Sequence, residues 1–452
     1  MKKAFVVSFE ELPACMLGCY GHQWIETPNL DRLASLSVLF DQHYANDLAT
    51  TENSFPWWTG QTVPRAFQSD SQKPHCFLSE LKHQGIDTSL LLEMDSGSGR
   101  NAVHRAQEPY FSRFDHVDTI TGSNDYQDSE VQTPVAKLMQ AAVDRLPGWM
   151  EESRDQLIWI RSEGVPAMPL APEFFATLYL DEVLDQDVPD DVSEETLQDF
   201  DDLPEEDESE SDLEEEDWQE LVSAVAELFT SPEEWSELDE QERQMARVVY
   251  AGYVTLLDQW FGRFLDRLLE YAESHSFLLI VTAARGGNSL LGPVRESEMA
   301  GMLEESTHIP LMIFRSETEQ SGSRRQFLTQ PADLPVSLLS WWNVKPEHGS
   351  YRGTDLLSLL EGAREAIESP VFAADDATLA IRTSEYYYLE SQDQQETEEA
   401  ELSDDSQKSE LYHKPVDRWD VADVYLQSPE VVAEFASQLK ELKKKNHDHN
   451  LS

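Results

Sequence analysis

EELPACMLGCYGHQWIETPNLD, residues 10–31, lies between a short apolar run and an amphipathic one. Upstream, Ala4-Phe-Val-Val-Ser-Phe9 stops abruptly at Glu10-Glu11. A continuous apolar run of that length ending in a polar loop reads as a buried parallel strand. Downstream, Thr27 precedes Pro28, the pairing of an N-cap residue with proline at the first helical position, and the spacing predicts a helix over Pro28–Val38. A strand that delivers two carboxylates into a loop, followed by a helix, is the opening unit of an α/β protein.

The same alternation continues along the chain. Phe77–Gln84 reads as a helix closed by Gly85, and Thr88–Leu92, Gln156–Arg161, Phe277–Thr282 and Pro310–Phe314 read as core strands. Over Arg243–Ser274 an apolar stripe of Val248, Val249, Leu256, Leu257, Phe261, Phe264, Leu265 and Leu268 predicts a long helix. Strands and helices in this order predict a mostly parallel central sheet flanked by helices.

With 452 residues, 40% hydrophobic, the chain is long enough to bury a large core. Thirty-three basic against 88 acidic residues leave a net charge of −55. Such a chain cannot neutralise a row of phosphates or dock on anionic lipid, which excludes nucleic acid and membrane as partners. Cys15, Cys19 and Cys76 are too few for a disulfide framework and are expected reduced and buried. The apolar run behind Lys2-Lys3 is too short for an export signal, and a cytoplasmic location is expected. Between Arg161 and Arg243 there is neither Lys nor Arg, and residues 181–217 are dominated by Asp and Glu. This segment is expected to be an extended acidic insertion without the spacing of a dedicated calcium loop. A second acidic stretch, residues 390–405, is expected to loop between two strands, and Lys440–Lys445 form a basic tail. Trp57-Trp58, Trp218, Trp235 and Trp341-Trp342 are read as core or, alternatively, as anchors for a partner.

Leu17-Gly-Cys-Tyr-Gly21 with Thr27-Pro-Asn-Leu-Asp-Arg-Leu-Ala34 resembles the opening of a sulfatase. Tyr250–Asp258 with Gly262, Thr307-His-Ile-Pro-Leu311, Gly353–Gly362, Ala380-Ile-Arg-Thr383 and Glu410-Leu-Tyr412 are similar to later segments of that family, in the same order. The resemblance implies an alkaline phosphatase/sulfatase-like α/β domain over residues 1–362 and a smaller C-terminal α+β subdomain over 363–452. It also implies a divalent cation held by carboxylates, a formylglycine nucleophile made in a C/S-x-P-x-R motif, and Lys, His and Arg groups that stabilise developing negative charge.

Carried over position by position, those parts are largely replaced. The Asp-Asp metal pair corresponds to Glu10-Glu11. Counting back from Thr59-Gly60 puts Thr50 at the nucleophile, Glu52 at the Pro and Ser54 at the Arg. The G-K-W-H segment reads Leu92-Glu93-Met94-Asp95, and the S-D-H/N-G metal loop reads Ala283-Ala284-Arg285-Gly286. The P-H-x-P segment reads Val165-Pro-Ala-Met-Pro169, without its His. A pocket that should grip an oxyanion thus presents acids, with Arg285 as the evident counter-charge. Arg285 is expected to stand in the vacated metal position and pair with Glu10 or Glu11.

The expected function is therefore a sulfatase-like pseudoenzyme with a binding or scaffolding role for a protein or small-molecule partner. The alternative is a divergent sulfo- or phosphoester hydrolase or transferase using Thr50 or Thr51 as nucleophile. No cofactor is expected; if one binds, it is calcium or magnesium at Glu10 and Glu11. A third reading makes the acidic insertion the functional element, carried by the α/β body.

Overall fold

The computed structural model describes residues 1–48, 56–62, 64, 76–95, 109–122, 129–165, 171–179, 240–287, 299–317, 322–345, 351–362, 369–392 and 409–449. Eight strands form the main sheet: β1 (Lys2–Glu11), β2 (Val38–Phe40), β3 (Asp87–Asp95), β4 (His116–Gly122), β5 (Gln156–Gly164), β6 (Ser276–Arg285), β7 (Leu311–Arg315) and β8 (Ser323–Arg325). Their order is β4-β3-β5-β1-β6-β7-β2-β8. The first five in that order run parallel, and β7 is antiparallel to both β6 and β2. The mostly parallel sheet flanked by helices is the architecture expected from the sequence.

Strand parity divides the core in two. Phe5, Val7 and Phe9 of β1 pack with helices Pro28–Leu36, Pro134–Glu151 and Glu240–Leu269 on one face. Ala4 and Val6 pack with Pro56–Thr59, Phe77–His83, Asp333–Trp341 and Leu356–Leu360 on the other. Both faces of β1 are buried, which is why its sequence is continuously apolar. Trp57, Trp58 and Trp341 are buried in the second core, while Trp218 and Trp235 lie outside the described residues. All three cysteines are free, Cys15 and Cys76 buried and Cys19 half-buried.

The first predicted helix is shorter than its periodicity suggested. It ends at Leu36, and Val38-Leu39-Phe40 instead form β2, pairing with β7 and β8. Three successive buried apolar residues gain more as a two-faced strand than as a continuing one-faced helix. Thr27 makes no side-chain capping bond; its hydroxyl accepts from the Gly18 N–H at 3.0 Å. The helix start is held by Asp258, whose carboxylate accepts from the Asn29 and Leu30 N–H groups at 3.1 and 2.7 Å and from Asn29 Nδ2 at 2.8 Å.

The C-terminal part contains a four-stranded antiparallel sheet, β9 (Val371–Ala374), β10 (Thr378–Arg382), β11 (Tyr386–Ser391) and β12 (Ser409–His413), in the order β12-β11-β10-β9. The helix Pro429–His449 supplies Phe435 and Leu439 to one face of it. The other face meets Met299, Met302 and Leu303. Residues 393–408 between β11 and β12, and the insertion 181–217, lie outside the described residues. No helix among the described residues is long and apolar enough to cross a membrane.

Candidate functional site

The parallel strands all end on one edge of the sheet. In a sheet of this kind the crevice at the carboxyl ends of the strands is where ligands bind. Backbone register brings the chemistry there: Glu11 lies opposite both Gly164 of β5 and Arg285 of β6, and Leu92 of β3 lies opposite Arg161. Four strands separated by many residues in sequence thus deliver Glu10, Glu11, Glu93, Arg161, Ser162, Glu163 and Arg285 to one line.

Strand geometry then decides where each side chain goes. Successive residues on a strand point to opposite faces. β1 remains an extended strand through Glu11, because Val165 N–H donates to the Glu11 carbonyl at 2.9 Å and Leu12 N–H to the Arg285 carbonyl at 3.1 Å. Glu10 follows the parity of Ala4 and Val6 and forms an ion pair with Arg161. Glu11 follows the parity of Phe5, Val7 and Phe9 and pairs with Arg285, Nη2 to Oε2 at 3.1 Å. Each carboxylate therefore has its own guanidinium, one pair on each face of the sheet edge.

The Arg161 pair is the more enclosed. Its side chain is 1% exposed, its guanidinium lies 5.6 Å from the Phe111 ring centre, and Nη1 is 3.9 Å from Glu163 Oε1. Glu93 accepts the Ser162 hydroxyl at 2.7 Å and the Glu163 N–H at 3.3 Å, while Ser162 Oγ accepts the Gly164 N–H at 3.1 Å. A serine hydroxyl donating to a carboxylate has the outline of an activated nucleophile. Here the hydroxyl is wholly buried, held between the Glu93 carboxylate and the Gly164 N–H, so the pair locks β3 to β5. Beyond β6, the Gly286 and Gly287 N–H groups donate to the Ser306 and Glu305 carbonyls at 2.7 and 2.8 Å, tying the strand end to the Glu304–Thr307 turn.

Of the residues singled out from sequence, the structure brings Glu10, Glu11, Glu93 and Arg285 to the edge. Ala284 packs among apolar side chains of the second core, and Asp95 is the last residue of β3. Thr50, Thr51, Glu52 and Ser54 lie outside the described residues. The expectation that Arg285 is the main counter-charge is corrected: Arg161 is the second and more deeply buried one. Sequence reasoning misses it because it closes the apolar run Gln156–Arg161 and reads as a strand terminus. The signal was there in Arg-Ser-Glu-Gly, residues 161–164, a polar end to an apolar strand like Glu10-Glu11 itself.

A sequence model of the sulfatase family matches residues 2–344. The chain belongs to the sulfatase family. Among solved structures it is similar to a phosphonate monoester hydrolase from Silicibacter pomeroyi, with TM-score 0.66 and 17% identity over 100% of this chain and 97% of that one. The phosphonate monoester hydrolase of Agrobacterium radiobacter gives 0.64 and 16%, covering 98% and 96%. A protein solved with its substrate D-glucosamine-2-N,6-O-disulfate gives 0.66 and 14%, covering 98% of each chain. Identities this low speak for the shared fold.

Sulfatases usually bind a divalent metal, and the residues at this edge do not fit one. A hard cation needs several oxygen ligands converging on a point. Glu10 and Glu11 diverge to opposite faces, each already engaged by a guanidinium, and Ala284 offers no donor. Among the described residues no group of three or more His, Cys, Asp or Glu is arranged to hold a metal.

Proposed function

We propose that this chain is a sulfatase-family protein that does not hydrolyse sulfate esters and uses the inherited fold for binding. The observation that carries this reading is the divergence of Glu10 and Glu11 into two separate guanidinium pairs. The relatives named above act on anionic esters, which need a cationic pocket. At this edge Glu10, Glu11, Glu93 and Glu163 face two arginines, and both guanidiniums are committed to carboxylates. Losing a single positioned charge-stabilising group commonly costs about 10²–10³ in rate. Several such losses in one pocket reduce ester cleavage to the uncatalysed level. The −55 charge further supports a partner other than nucleic acid or anionic membrane.

The test is direct. Purified chain, supplied with Ca²⁺ or Mg²⁺, is incubated with an aryl sulfate and with an aryl phosphonate monoester, and product release is followed. The expected result is no release above the protein-free rate. Saturable turnover that a chelator abolishes rejects the reading.

A further inference from the structure

We propose that Arg161 and Arg285 have taken over the charge-balancing role of the family's divalent cation, so that the folded strand edge is held together by two guanidinium clamps and is indifferent to Ca²⁺ and Mg²⁺. This rests on the reading above that the edge no longer fits a metal.

A carboxylate buried as deeply as Glu11, 2% exposed, requires a counter-charge. A metal supplies it by drawing several oxygens to one centre, whereas a guanidinium supplies it to a single carboxylate through directed N–H bonds. The geometry follows the second pattern twice. Arg285 comes from the register position directly beside Glu11 on β6, and Arg161 from the neighbouring strand on the other side, β5. Because β1 stays in the ladder through Glu11, the two carboxylates turn to opposite faces, and each is engaged there by its own guanidinium. The two clamps also pin β1 to both of its neighbours at the edge where backbone pairing ends. Arg161 is buried over Phe111, while Arg285 is 37% exposed, so solvent ions can reach its site if the side chain is shortened.

Thermal midpoints of the full chain, read without substrate in EDTA and in millimolar CaCl₂ or MgCl₂ at matched ionic strength, test this. Wild type is expected to have the same midpoint in all three. Arg285→Gln is expected to melt several degrees lower in EDTA and to recover part of that on adding Ca²⁺ or Mg²⁺, because Glu11 then loses the guanidinium charge beside it. Glu11→Gln/Arg285→Gln is expected to regain part of the loss without cation and to show no response to it. A wild-type midpoint that drops on chelation overturns the proposal, as does Arg285→Gln matching wild type in EDTA. The wild-type arm decides alone should Arg285→Gln fail to fold. Ester turnover that persists in EDTA would strike the functional reading and leave this one standing, whereas turnover that EDTA abolishes would strike both.

Discussion

Gly164 is where the backbone of the edge and its electrostatics meet. It has φ +72°, and a Cβ built there would stand 2.0 Å from the Glu11 carbonyl oxygen. That carbonyl accepts the Val165 N–H, the bond that keeps Glu11 in the strand ladder. Gly164→Ala therefore combines a left-handed backbone with a backbone clash, and a loss of about 3 kcal/mol or more is expected in denaturant melts. Arg161→Met should cost a comparable amount, about 3–5 kcal/mol, since it leaves Glu10 without its partner; urea midpoints measure it, and a loss below 1 kcal/mol would place the pair with ordinary surface bridges. At this scale the sequence was half legible. Glu10-Glu11 and Arg285 stood out because they interrupt apolar strands where a sulfatase carries metal ligands. Arg161 did not, because what buries it, Phe111 and Glu10, lies 50 and 151 positions away in the chain.

Among the elements, the helix Pro28–Leu36 shows how a locally readable start can be completed from afar. Thr27-Pro28 correctly marked where it begins, yet the capping carboxylate belongs to Asp258 on the helix Glu240–Leu269. No window of sequence contains both ends of that bond. Burial raises the Asp258 carboxyl to about 6 from its ordinary 3.8, although three N–H donors act in the opposite direction. The folded protein thus holds this proton more tightly than the unfolded chain does. The stability contributed by this group consequently falls as pH rises from about 4 to about 6, a swing of roughly 3 kcal/mol at most, and is flat above. Asp258→Asn, a neutral side chain of the same size, removes the titration. Any stability advantage of wild type over Asp258→Asn should shrink as pH rises from 4 to 7, and thermal melts across that range check it. A gap that widens with pH would show that the ionised cap is the stabilising form.

For the whole molecule, the order of strands and helices announced the main sheet, but nothing local announced how the C-terminal sheet is fastened to it. Besides the backbone bonds between residues 46–48 and Ala374 of β9, the fastening is a buried charge cluster. Glu304 receives Arg382 at 2.7 Å and Lys414 at 3.2 Å, its N–H donates to Asp420 at 2.7 Å, and Lys414 also contacts Asp420. Arg382 additionally donates to the Tyr44 hydroxyl at 2.6 Å. These five residues come from four regions of the chain, each ordinary when read alone. Arg382 and Lys414 hold the Glu304 carboxyl well below its ordinary range against the effect of burial. Its contribution to stability is present above about 4.5, the unfolded value, and is lost as pH falls below it. Glu304→Gln leaves Arg382 and Lys414 facing a neutral amide in a dry interface, and a loss of about 3–5 kcal/mol is expected. The loss should also be local. Hydrogen exchange ought to accelerate across β9 to β12 while β1, β5 and β6 keep their protection, because the apolar contacts of Met299, Met302 and Leu303 and the backbone bonds to Ala374 are a small footing for the sheet once the charges are unbalanced. Exchange that rises equally in both sheets would mean that they unfold as one unit and that the cluster is part of a single core.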